Sequence, residues 1–179
     1  MDRKYIIGFF IFCASLSAFS QEADDLGEHK RRHRITIMMA NAFSPSATEV
    51  DGESPILIIP TWGVSYDFWF NNKWAVGLHN EVFLQQFKIK KFGSEQTVER
   101  SFPVSVNLIG LFKPTKHWIF LAGAGKEFEK HENFSLICLE TEYGFELPDN
   151  WELNLNLIFE NKIEAYDTWT FGVGFSKLF

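Results

Sequence analysis

Cysteine is scarce in this chain of 179 residues and positive charge is in deficit: two Cys, and 17 Lys plus Arg against 23 Asp plus Glu, for a net charge of −6. The first shortage excludes a disulfide scaffold, because Cys13 lies in a leader-like segment and only Cys138 remains beyond it. The second excludes a nucleic-acid partner, which needs clustered cations to displace counterions from phosphate. Long apolar runs are also missing. Past residue 20 every apolar stretch is interrupted by charged or amide residues before it could cross a bilayer as a helix. Yet 46% of the chain is hydrophobic and 17% aromatic, while the mean hydropathy is only −0.09. So much apolar material in a near-neutral average must be interleaved with polar residues.

Three regions follow. Residues 1–20 have the form of a secretory signal: Arg3 and Lys4, the apolar run Ile6 to Phe12, and Ala18-Phe19-Ser20 as a small-x-small cleavage site before Gln21. Lipidation at Cys13 is disfavoured, because Phe10-Ile11-Phe12 lacks the small residues of a lipoprotein cleavage site. Residues 21–33 form a polar N-terminal segment. Its end, Lys30 to Arg34, reads either as a basic patch for lipid headgroups or as a solvated terminus. Residues 34–179 carry a period of two rather than 3.6, the mark of strands with two unlike faces.

The closing stretch shows this best. Trp169, Phe171, Val173, Phe175 and Phe179 share one parity, against Thr168, Thr170, Gly172, Gly174 and Ser176. Ile58, Trp62, Val64, Tyr66, Phe68 and Phe70 oppose Thr61, Gly63, Ser65 and Asp67. After the turn Asn71-Asn72-Lys73, Trp74, Val76, Leu78, Val82 and Leu84 oppose Gly77, His79, Glu81 and Gln85. The same sorting recurs from Phe102 to Phe112, Trp118 to Glu127, Ile137 to Phe145 and Trp151 to Glu160. With a first strand from Ile35, the count is eight. Connections after even strands are tight turns, whereas Ser44 to Pro55, Lys90 to Val98, Lys130 to Asn133 and Asn161 to Ala165 are mostly longer and polar. Trp74, Trp118 and Trp151 all open a strand that follows a tight turn, and with Phe179 they would form an aromatic girdle at one rim.

Pro60-Thr61-Trp62-Gly63 to Phe70, Lys73 to His79, Lys113-Pro114-Thr115-Lys116-His117-Trp118 and Gly172-Val173-Gly174 to Phe179 together resemble the small outer-membrane barrels of the OmpA and OmpX type, and a poorly characterised group of short barrels in Bacteroidota-like genomes. The resemblance implies an all-β fold, an eight-stranded antiparallel transmembrane β-barrel in a Gram-negative outer membrane, reached after cleavage of the signal peptide, with turns on the periplasmic side and loops outside. It further implies two partners, the outer-membrane lipids and the barrel assembly machinery, with Phe179 as the assembly signal. The loops are the surface open to an extracellular ligand.

On this reading the inward parity builds a polar lumen cluster of His79, Glu81, Asn107, Glu127, Glu140, Glu142, Asn156 and Glu160, with Glu129 and Glu152 also inward. Inward cations are fewer: Lys113, Lys162, Arg34, and His79 if protonated. Such an excess of carboxylates requires water, bound cations or proton uptake. A hydrogen-bonded plug and a narrow cation-selective or proton-conducting path are both open; the plug is how barrels of this size fill their interior. Catalysis is disfavoured. His79, Glu81 and Ser105 all face the lumen, away from any lipid substrate, and Ser135 and Glu140 of the set with His131 fall on opposite faces. The expectation is a non-enzymatic structural or surface-interaction protein, with a channel or transporter component as the alternative, a lipid-modifying enzyme third, and neither metal nor cofactor.

Overall fold

Strands with one apolar and one small or polar face can bury neither face alone; pairing edge to edge until the sheet closes removes every unpaired edge. In the computed structural model, which describes residues 32–48, 57–93 and 96–179, the chain does this. Its strands are β1 (His33–Ser44), β2 (Ala47–Thr48), β3 (Leu57–Trp69), β4 (Trp74–Phe83), β5 (Gln86–Lys90), β6 (Thr97–Ser101), β7 (Val104–Phe112), β8 (Trp118–Phe128), β9 (Phe134–Leu147), β10 (Trp151–Lys162) and β11 (Tyr166–Leu178). Eight of them close into an antiparallel barrel in the order β1-β11-β10-β9-β8-β7-β4-β3. Strand β1 closes the ring, pairing β11 on one side and β3 on the other. The signal peptide, its cleavage site, most of the polar N-terminal segment and most of the first loop lie outside the described residues.

Side-chain chemistry sets the tight turns at one end. Asn71 folds its side-chain oxygen back to accept from the backbone N–H groups of Lys73 and Trp74 at 2.8 and 2.9 Å, and Thr115 accepts from Trp118 N–H at 3.2 Å. Asp149 and Asn150 take left-handed φ of 57° and 64°, which these residue types tolerate better than most. At this same end Phe179 N–H donates to the His33 carbonyl at 2.9 Å, tying the last residue to the first strand.

The barrel wears its apolar surface outside. On β7 Leu108 is 64% exposed, and its neighbour Ile109 is 1% exposed. Around the wall Ile37, Ile58, Trp62, Val64, Phe120, Leu139 and Phe171 are exposed in the same way, and Trp74, Trp118, Trp151 and Phe179 ring the turn end. No water-soluble monomer carries a continuous belt of this kind; hydrocarbon is the solvent that accepts it.

Two features depart from the sequence reading. The interior is less uniformly polar than expected, because Ile109, Leu111, Ile119 and Leu121 of β7 and β8 point inward and pack with Met38, Trp69 and Ile158. Both faces of these two strands are apolar there, so alternation gives no contrast to read. The hairpin after β4 also does not continue as one ladder. Pro103 has no N–H to donate, and Phe102 before it adopts a left-handed φ of 49°. The hairpin breaks at Leu84-Gln85 and Phe102-Pro103, and β5 pairs with β6 on one side and β2 on the other as a separate three-stranded sheet. Phe83, Phe87 and Ile89 then pack with Leu57, Ile59, Phe134 and Tyr166 in a second apolar cluster at the loop end.

Candidate functional site: the charged lumen

Every member of the polar cluster expected from parity is buried in the described structure: His79, Glu81, Asn107, Glu127, Glu140, Glu142, Asn156 and Glu160. The barrel sorts six of them into two ion-pair networks, which Glu81 and Asn156 do not join. Toward the turn end the hub is Arg34, brought inward by the alternation of β1. Its Nε donates to Asp67 at 2.8 Å, its two terminal nitrogens to the Glu142 carboxylate at 2.5 and 3.2 Å, and it reaches Glu152 at 3.5 Å. His79 lies between two carboxylates, with Nε2 2.9 Å from Asp67 and Nδ1 3.2 Å from Glu140, an arrangement satisfied when both ring nitrogens carry protons. Asn154 donates to Glu142 and to Ser176, and Lys113 stands 3.8 Å from Glu152. Gly77 is required here, because a Cβ on it would run into the Asp67 carboxylate.

The second network lies toward the loop end and centres on Glu127. Arg100 donates to one oxygen of that carboxylate, and the Tyr166 hydroxyl donates to the other at 2.6 Å. Arg100 also donates to the Glu132 carbonyl at 2.5 Å and lies over the Phe134 ring at 4.5 Å. Lys162 donates to Glu160 at 2.6 Å and to Thr168 at 2.5 Å, while Asn107 donates to the other Glu160 oxygen at 2.8 Å.

Arg100 was not visible in the sequence pattern. Parity counted back from Val104 and Phe102 sends it outward, but the break at Phe102-Pro103 slips the alternation by one, so that Arg100, Pro103 and Ser105 are all buried. Tyr166 joins the cluster through Glu127, three strands away in the ring, and Asp67 through Arg34 and His79 on the two strands beside its own. Glu129 sits in the loop after β8, 3.6 Å from Arg100. Partial burial opposes its charge, but the His131 backbone N–H, the His131 ring and Arg100 together hold its carboxyl below the usual carboxylate range. His131 thus pairs with Glu129, and Ser135 faces outward away from buried Glu140, so that triad does not assemble. Ser105 is paired across the ladder with Glu81, while His79 is engaged by Asp67 and Glu140.

No family model matches the sequence, and no curated protein matches it. Solved structures do. The outer membrane protein OprG of Pseudomonas aeruginosa superposes with a TM-score of 0.52 at 14% identity, over 85% of this chain and 98% of that one. Neisserial surface protein A gives 0.50 at 11% identity, over 82% and 97%. Ail, the attachment invasion locus protein of Yersinia pestis, gives 0.47 at 16% identity, over 82% and 99%. The chain therefore has the fold of the small eight-stranded outer-membrane barrels, closed and antiparallel.

Proposed function

We propose that this protein is an integral outer-membrane barrel with a sealed lumen, whose role is structural or one of surface interaction rather than catalytic. The observation that carries the reading is the double closure of the interior. The Arg34 network fills the turn end, and the Arg100–Glu127–Tyr166 network beneath the cluster of Phe83, Phe87 and Phe134 fills the loop end. A hydrated ion passing through would have to break paired buried charges and displace packed aromatic rings, each of which costs several kcal/mol. The purified protein, reconstituted in planar bilayers, is expected to give no steady conductance. Reproducible cation-selective steps would instead support the channel alternative, and changed acylation of outer-membrane lipids on overexpression would support an enzyme.

Placement in the outer membrane rests on the apolar belt and the terminal strand. Phe179, half-exposed at the girdle and joined to His33, is the residue that an assembly machinery could grip while β1 and β11 are still apart. Phe179→Ser should lower the amount of heat-modifiable barrel recovered in the outer membrane several-fold, with the shortfall in the periplasm or degraded. Normal accumulation of that variant would remove the assembly role.

A further inference from the structure

We propose that the cavity beside Glu81 is a binding site for one monovalent cation of the sodium or potassium class, held through oxygen atoms. Nearly all the buried charge of the lumen is paired. Asp67, Glu142 and Glu152 have Arg34, Glu140 has His79, Glu127 has Arg100, and Glu160 has Lys162. Glu81, at 5% exposure, takes part in no ion pair among the described residues, and its Oε2 has no hydrogen-bond partner. A carboxylate oxygen buried inside a barrel without a partner is unfavourable, so something must compensate it.

The surroundings of Glu81 point to the compensator. Its two ladder neighbours are Gly63 on β3, whose missing side chain leaves room for Met38, and Ser105 on β7, which carries a hydroxyl. The Ser105 hydroxyl is buried without a partner, and so is the Oδ1 of Asn107 two residues along the same strand. The unsatisfied atoms of the β4–β7 wall are therefore a carboxylate oxygen, an amide oxygen and a hydroxyl oxygen, a surplus of acceptors that draws a positive guest. In the same cavity lining stands Asn156, 2% exposed, whose amide nitrogen also lacks a partner; turned over, this amide offers its oxygen to the cavity. The cavity is lined by Ser65, His79, Glu81, Glu140, Glu142 and Asn156, with Ser105 and Asn107 on the strand beside Glu81 rather than in its lining; its volume of about 20 Å³ is the room of one water-sized guest. One unpaired carboxylate with neutral hydroxyl and amide oxygens matches a single positive charge. Among the described residues no group of three or more His, Cys, Asp or Glu side chains is placed to hold a metal ion, so a divalent ion would lack the anionic ligands it prefers.

The experiment is to refold the full-length barrel into liposomes in sodium, potassium or N-methyl-D-glucamine chloride at one ionic strength and pH, and to follow unfolding by tryptophan fluorescence. The unfolding midpoint should rise saturably with sodium or potassium and stay flat with the bulky organic cation, because only an ion bound to the folded state shifts the equilibrium in that way. Glu81→Gln should abolish the dependence and Ser105→Ala should weaken it; should the Gln variant fail to fold, the wild-type series and Ser105→Ala decide. Equal midpoints in all three salts would overturn the site, and a midpoint that follows pH but ignores the cation would assign the compensating charge to a proton on Glu81. The site does not depend on whether the lumen conducts, so the conductance measurement and this one can fail separately.

Discussion

Arg34→Met will lower the stability of the folded barrel by about 3 to 5 kcal/mol, the cost of stranding a buried charge by removing its partner. Here one guanidinium, 1% exposed, serves Asp67, Glu142 and Glu152 together, and methionine matches its length without its charge. The deficit should appear as an earlier midpoint in urea unfolding from liposomes, with the slope unchanged. Glu142→Gln added to Arg34→Met should restore part of the loss, because it removes one of the carboxylates left without a cation. A loss under about 1 kcal/mol for the single variant would mean that water or another cation already satisfies these carboxylates, and the hub role given to Arg34 would fall.

The second large effect lies on the opposite face of the wall. Leu155 is exposed on β10, in the apolar ladder of Leu153, Leu155 and Leu157 that follows the girdle residue Trp151. Leu155→Arg places a guanidinium against hydrocarbon and should cost about 2 to 4 kcal/mol if the site is near the bilayer midplane. Val106→Arg on β7, which shares the outward parity, should behave in the same way. Asn72→Arg, in the exposed turn between β3 and β4, should change stability by less than about 0.5 kcal/mol. Equal sensitivity of the three positions in lipid, measured by the same unfolding assay, would show that the exposed belt is not the lipid face.

These two substitutions also divide what could be read in the chain from what could not. The outward position of Leu155 and the inward position of Glu142 follow from parity alone, because a strand turns successive side chains to opposite faces whatever it pairs with. The eight strands, the tight turns at one end and the tryptophans that open strands at that rim were legible for the same reason: each is a property of neighbours in sequence. The burial of the acidic positions on the inward parity was legible for the same reason.

Their partners were not. Arg34 meets Glu142 across the width of the barrel, at a separation of 108 residues, and Tyr166 meets Glu127 across 39. Such meetings are fixed by the stagger with which the sheet closes, which no local pattern encodes. Arg100 was hidden by a one-residue slip at Phe102-Pro103, because parity can be counted only while the ladder is unbroken. The apolar inner wall of β7 and β8 was hidden because two apolar faces show no alternation. The sequence by itself therefore determined the strands, their faces and the closed all-β architecture, through local sterics and the opposed preferences of lipid and lumen. Only the tertiary structure decided which charges are paired, that a bent hairpin packs at the loop end, and that Glu81 is left without an ion-pair partner among the described residues, because these depend on how distant strands align once the barrel has closed.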